Sequence, residues 1–358
     1  MPSKHFYNTK FTYEKNYSNP PKTNKKLKYT GEPQIDLMGH KVYAPIGIAA
    51  GTVLNSDYVK AAVAGGASVI TSKTLRSLER ECLPYPNCVY IKPGSIIEPN
   101  GTVIAQKERT DTMTNSFGMP SASPDFWMQD VRIAQEYIDA NPGHLMIVSV
   151  VGTPFEGVQD PVEQLAMNYA ECAVMAQMAG GKVIELNFSC PNVRKDLGLI
   201  YQDASLTSEI IRMTRHGIGK DIPLLIKVAY WQEEYVMQKV VDAALNAGAS
   251  GFVGINTIPM NVTDEFGAPA LPGRLSSGVC GKGIAPYAIK WLDSMVEFRE
   301  KTNAKFIIGS SGGITCHDEF DDRLRSGADF ALATTSSMHN PGIFADYHYS
   351  KGNIQRTR

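Results

Sequence analysis

The sequence predicts an α/β chain closed into one parallel (β/α)8 TIM barrel, with long loops covering the face where its strands end. Three observations carry this expectation. Eight short apolar runs recur, at Pro45–Ala50, Ala67–Lys73, Leu145–Val151, Val183–Phe188, Leu224–Val228, Gly251–Ile255, Phe306–Gly309 and Phe330–Ala333. Helix-like segments alternate with them, at 54–65, 128–140, 161–179, 204–217, 233–247, 285–300 and 317–326. No G-x-G-x-x-G follows the first run, which an open doubly wound sheet binding a dinucleotide would show.

Strands that are apolar at nearly every position belong to a parallel sheet buried on both faces. Ala-Gly-Gly-Ala at Ala64–Ala67, Ala-Gly-Ala at Ala247–Ala249 and Ser-Gly-Ala at Ser326–Ala328 stand at or just before three of the strands. Glycine there ends a helix and turns the chain into the strand. Residues 74–126 and 257–284 do not fit the repeat. Loops this long in a compact domain are usually functional, and these two would rise from the C-terminal face of the barrel.

Residues 1–34 read as a Lys-rich extension, and 35–358 as a single catalytic barrel domain. Lys4, Lys10, Lys15, Lys22, Lys25, Lys26 and Lys28 alternate with Asn and Tyr, and Asn19-Pro20-Pro21 interrupts them. The extension is expected to drape over the barrel, its Tyr and Phe residues pinning it locally. It has no apolar signal core, and no span of membrane length occurs in the chain, so a cytoplasmic protein is expected. Lys+Arg 35 against Asp+Glu 36 gives no call for a nucleic-acid partner. Cys82, Cys88, Cys172, Cys190, Cys280 and Cys316 are scattered without C-x-x-C spacing. Reduced thiols are the simpler reading, and no metal or iron–sulfur site is expected.

The candidate chemistry gathers at strand ends. Val183 to Phe188 runs into Ser189-Cys190-Pro191-Asn192, so amides, a hydroxyl and a thiol stand where such barrels do their chemistry, with Pro191 fixing the turn. Lys73 and Lys227 each close an apolar strand. A buried lysine is costly unless it meets an anion or a carbonyl, so two on one face imply an anionic ligand. Gly312-Gly313 after the seventh strand and Thr334-Thr335 after the eighth could form a phosphate cradle, with Ala50-Gly51 offering a close approach to a flat ligand. Asn115, Asn187, Asn192 and Asn256 make an amide-lined pocket for a planar hydrogen-bonding substrate. A lone Asn is more often a turn former; four on one face are less so. Cys190 differs from the other cysteines in its polar setting, and a thiol can act as a base. His144, His216, His317 and His339 show no triad partner, so Ser-His-Asp hydrolysis is not expected.

Asn187-Phe188-Ser189-Cys190-Pro191-Asn192, with Ser72-Lys73-Thr74, Asn115 to Pro120, Ile226-Lys227, Asn256-Thr257 and Gly312-Gly313, resembles the dihydroorotate dehydrogenases. The likeness is to their soluble, cysteine-type class and runs from about Ile35 to the end. It implies an FMN enzyme oxidising dihydroorotate to orotate in pyrimidine biosynthesis, with Cys190 as base and hydride passing to the flavin. Lys73 would then serve both the substrate and the flavin. Asn115, Gly118, Met119, Asn187, Asn192, Asn256 and Thr257 would line the substrate. Ala50, Gly51, Ser72, Lys227, Gly281, Gly312, Gly313, Thr334 and Thr335 would hold FMN. The family also implies a homodimer, and one branch adds an electron-transfer partner subunit.

The chain departs from the family pattern at several points. Phe117 stands where methionine is usual, Ser121 where asparagine is frequent and Thr334 where glycine is common, and Ser310-Ser311 lengthens the phosphate loop. The dihydropyrimidine dehydrogenases, which share the Asn-x-Ser-Cys-Pro start, give the alternative reading of uracil reduction. A non-catalytic flavin-binding barrel is the third.

Overall fold

The computed structural model describes residues 5–22, 27–189 and 199–355. Eight parallel strands close into a barrel: β1 (Ile46–Ile48), β2 (Val69–Thr71), β3 (Leu145–Val150), β4 (Ile184–Asn187), β5 (Leu224–Lys227), β6 (Gly251–Gly254), β7 (Ile307–Ser311) and β8 (Phe330–Leu332). Their order around the barrel follows the chain, with β8 pairing back onto β1. Helices at Ser56–Ala64, Pro124–Asp139, Pro161–Met178, Ala204–Ile218, Glu234–Ala247, Ala285–Thr302 and Asp318–Arg325 cover the outside. Each strand residue points alternately inward and outward. Val69, Leu145, Ile147, Val183, Leu225, Val253, Phe330 and Leu332 fill the barrel, while the outward residues join the helices in a larger shell. An antiparallel hairpin, Ile35–Leu37 with His40–Val42, adds Leu37 and Val42 to the inner cluster.

The apolar runs and helix-like segments all correspond to elements, with shifted ends. The second helix starts at Pro124 rather than 128, because proline at the first helical turn needs no N–H there. β7 runs on to Ser311, so Ser310 and Ser311 lengthen the strand and not the phosphate loop, a correction to the sequence reading. The two long loops are not irregular. Tyr90–Ile91, Thr102–Gln106 and Thr112–Asn115 from one loop combine with Ile258–Thr263 and Ser276–Gly281 from the other in a second, five-stranded closed sheet. Val103 faces Val262, and Asn115 faces Gly278, across this sheet. Two segments some 160 residues apart thus hold each other over the barrel's C-terminal end.

Residues 5–22 pack on the barrel. Phe6, Tyr7 and Asn16 are buried, and a short helix, Tyr13–Tyr17, is capped by the Thr12 hydroxyl accepting from Lys15 N at 3.2 Å. Among the described residues, no helix is long and apolar enough to cross a membrane.

Candidate active site

Lys227 and Asn187 share the inward face of their strands with Leu225 and Val183, two and four residues earlier, so both point into the mouth of the barrel. The Lys227 ammonium is 3% exposed and donates to Ser311 Oγ at 2.7 Å. The Ser311 hydroxyl in turn donates to the Ile255 carbonyl at 2.8 Å, which aims its lone pair at the lysine. Burial pushes the Lys227 pKa down to about 8, against the pull of the Glu185 carboxylate. Glu185 lies on the same inward face, one step deeper. Burial pushes its carboxyl up, while the Lys227 charge and the Ser149 hydroxyl act the other way.

A run of hydrogen bonds joins the ends of β2, β4 and β6. Asn187 Nδ2 donates to Thr74 Oγ1 at 3.3 Å, and the Thr74 and Ser149 hydroxyls pair at 3.1 Å. Asn187 Oδ1 accepts from both Ser189 N at 3.2 Å and Ser189 Oγ at 2.7 Å. Asn256 Nδ2 then donates to Ser189 Oγ at 2.6 Å. The Tyr169 hydroxyl holds the Asn187 carbonyl from behind at 2.8 Å. These partners fix how both amides are turned: Asn187 spends its side-chain oxygen on Ser189, whereas Asn256 spends an N–H and keeps its oxygen.

The second sheet brings in the remaining substrate candidates. Asn115 ends Thr112–Asn115, and its amide donates to Cys280 Sγ at 3.6 Å. Gly118 and Met119 both have positive φ, 75° and 51°, so the loop after Phe117 turns sharply. Met119 Sδ receives Asn187 Nδ2 at 3.6 Å, and its carbonyl accepts from Arg76 at 3.0 Å. Thr257 packs against Gly278, where a Cβ would lie 2.3 Å from the threonine hydroxyl. Ser72 accepts from Ser149 N at 3.1 Å, and the Lys73 ammonium lies 5.3 Å from the centre of the Phe117 ring. Burial pushes the Cys280 thiol up, as expected of a structural cysteine.

Ala50-Gly51, Gly312-Gly313 and Thr334-Thr335 follow the ends of β1, β7 and β8. A Cβ at Gly51 would lie 2.9 Å from the Thr334 methyl, and Thr334 Oγ1 donates to the Ala49 carbonyl at 3.1 Å. Gly312 and Gly313 both have positive φ, and a Cβ at Gly313 would meet Ala285 Cα at 2.5 Å. Gly281 belongs to the second sheet; its missing Cβ makes room for the Asp111 carbonyl, with the Thr335 methyl beyond. Cys190 and Asn192 lie outside the described residues.

Sequence reasoning passed over Ser149 and Glu185, and named Ser189, Ser311 and Phe117 without the contacts they make here. Ser149 and Ser311 face inward at the level of Lys227, and the two-residue alternation of their strands was a usable signal. Glu185 was legible in the same way, as a charge within an apolar run. Ser189 joins two amides, a role that needs the tertiary arrangement. Phe117 stood out only as a departure from the family pattern.

The sequence model of the family described as Dihydroorotate dehydrogenase matches residues 34–348. A dihydroorotate dehydrogenase of Dictyostelium discoideum is 35% identical over 334 residues, spanning 89% of this chain and 88% of that protein. The catalytic subunit of a dihydroorotate dehydrogenase B (NAD(+)) from Methanosarcina mazei is 23% identical over 314 residues, 87% of this chain and 86% of its own length. The PreA subunit of NAD-dependent dihydropyrimidine dehydrogenase from Escherichia coli is 28% identical over 217 residues, 58% of this chain and 47% of that subunit.

Proposed function

This chain belongs to the dihydroorotate dehydrogenase family, and on that footing we propose that it oxidises dihydroorotate to orotate with bound FMN and Cys190 as base. The family makes it an oxidoreductase acting on a CH–CH bond. One observation supports the reading most: the Thr74–Asn187–Ser189–Asn256 run beside the buried Lys227 ammonium at one barrel mouth.

The residues fit a flavin. A buried ammonium whose described hydrogen-bond partner is one neutral hydroxyl suits an electron-rich ring. The left-handed turn at Gly312-Gly313, which follows β7 and packs on Ala285, suits a phosphate approached by backbone N–H groups. When bound, the flavin supplies the hydride acceptor that no side chain provides.

The chain's own groups do the rest. Asn187, Asn256, Asn115 and Thr257, with Asn192, Gly118 and Met119, orient a planar ring bearing imide and carbonyl groups. Lys73 holds the substrate carboxylate. Cys190 Sγ removes the C5 proton, and Lys227 keeps positive charge beside the cofactor as electrons arrive. Ala50, Gly51, Ser72, Gly281, Gly312, Gly313, Thr334 and Thr335 hold FMN. The proposal extends to a cytoplasmic homodimer, with fumarate, a quinone or an NAD-linked partner subunit as acceptor.

The test is anaerobic. The purified protein should be yellow, and dihydroorotate should bleach it while dihydrouracil should not. Bleaching only by dihydrouracil would transfer the chain to the dihydropyrimidine reaction named for the Escherichia coli relative. A colourless protein that takes up no FMN would overturn the reading.

A further inference from the structure

The N-terminal segment touches the site through one ring. Phe117 is met by Tyr7, with ring centres 5.9 Å apart at 85°, and by Tyr13, 6.2 Å apart at 59°. The Lys73 ammonium sits over the same ring at 5.3 Å. Lys73 is 9% exposed, so neighbouring groups and not solvent set where its ammonium sits, and an aromatic face is one that attracts a cation. Phe117 precedes Gly118 and Met119, both in the left-handed region, so the ring is carried by a tight turn and not by a strand. Its position is set from the side, by whatever packs on it.

What packs on it is well anchored. Phe6 N donates to the Met338 carbonyl at 2.9 Å, at the end of the short helix that begins with Thr335. The Asn16 side chain closes the segment on itself, accepting from Asn8 N at 2.9 Å and donating to the Asn8 carbonyl at 3.0 Å. The Tyr58 hydroxyl donates to the Asn16 carbonyl at 2.8 Å, and Asn55 Nδ2 to the Tyr17 carbonyl at 3.1 Å, which ties the segment to the first barrel helix. Tyr13 and Tyr17 also line a small cavity together with Ser72 and Lys73. Surface attachment alone would not require aromatic rings aimed at a substrate loop.

We propose that residues 5–17 are a working part of the active site, in which Tyr7 and Tyr13 are positioning residues that hold Phe117 and, through it, the Lys73 ammonium for the substrate carboxylate. The assignment of the carboxylate to Lys73 rests on the function proposed above. The tyrosine rings do the positioning, so phenylalanine should serve as well as tyrosine at position 13, and alanine should not.

The test uses the full chain with its flavin and the variants Tyr13→Ala, Tyr13→Phe, Phe117→Leu and the double Tyr13→Ala/Phe117→Leu. Orotate affinity and the KM for dihydroorotate are measured beside the rate at which acetic anhydride labels Lys73, read by mass spectrometry. In Tyr13→Ala, orotate should bind about 3- to 30-fold more weakly, the range of a single cation–π contact, with flavin content unchanged. Lys73 should label faster, and Tyr13→Phe should restore both. The double variant should be no worse than Phe117→Leu alone, because Tyr13 acts through that ring. Wild-type affinity and labelling in Tyr13→Ala, or additive losses in the double variant, would overturn the proposal. Phe117→Leu tests the same link without touching the segment, should Tyr13→Ala fold poorly. If the wild-type chain binds no orotate, the function proposed above falls; labelling of Lys73 still decides the positioning, faster in Tyr13→Ala upholding it and unchanged refuting it.

Discussion

Lys227 on β5 reaches Ser311 on β7, Nζ to Oγ at 2.7 Å, past the intervening strand β6. The contact puts a positive charge at the top of an apolar barrel, with a neutral hydroxyl as its described hydrogen-bond partner and the Glu185 carboxyl one step deeper. Such a charge costs stability until a ligand compensates it. Under the binding role proposed for Lys227, ligand binding and folding stability oppose each other at this residue.

The opposition has a pH signature. Lys227 titrates near 8 when folded, against the ordinary 10.5 of an exposed lysine. Below pH 8 the folded chain carries the whole cost of the buried charge; above 10.5 neither state is charged and the cost is gone. Stability from this residue should thus rise with pH between those values, by at most on the order of 3 kcal/mol. In flavin-free protein, Lys227→Met combined with Glu185→Gln should melt higher than Glu185→Gln alone at pH 7.5, with the gap closing by pH 10. Parallel melting curves would show that the ammonium is not held in an apolar setting.

The base role proposed for Cys190 rests on its motif and the family. Cys190→Ala should keep FMN while anaerobic reduction by dihydroorotate slows about 10²- to 10⁴-fold, the usual loss for a general base. Stopped-flow absorbance reads this directly. Reduction at the wild-type rate would remove Cys190 from the proton transfer.

Gly313 has φ +82°, and an added Cβ would lie 2.5 Å from Ala285 Cα and 2.8 Å from Ala285 N. Those are backbone atoms at the start of the 285–302 helix, which cannot rotate away. Gly313→Ala should lower stability by about 1–3 kcal/mol through strain and should empty the flavin site. Thermal melting and the ratio of flavin to protein absorbance check both effects. A variant that melts normally and stays fully yellow would count against a cradle here.

Arg274 clasps the two long loops together. From the 257–284 loop its guanidinium donates to the carbonyls of Ser116 at 2.7 Å, Pro84 at 2.6 Å and Pro86 at 2.9 Å in the other loop. Charged hydrogen bonds of this kind are worth about 1.5–3 kcal/mol each. Arg274→Ala should speed proteolytic cleavage within 257–284 and raise the KM for dihydroorotate more than it lowers kcat. Unchanged cleavage would mean that the five-stranded sheet holds the loops without this clasp.

Several site residues were legible along the chain. Lys73 and Lys227 ended apolar runs where a charge had no local reason to be, and Asn187 and Asn256 closed their strands in the same way. The five-stranded sheet was not legible, because Val103 faces Val262 and neither stretch is apolar or long enough to announce a partner so far away. The meeting of Tyr13 with Phe117 was hidden for the same reason, although the aromatic content of the extension was plain.

The sequence by itself determined the barrel, since helix and strand periodicity are properties of neighbouring residues and eight such units close in few ways. It also determined which residue types reach the catalytic face, because strand ends lead there. The tertiary structure decided the partners. It joined Lys227 to Ser311, set Ser189 between two asparagines, and placed an aromatic N-terminal segment on the loop that carries Phe117. Hydrogen-bond direction and ring packing depend on distances across the fold, which local patterning does not encode.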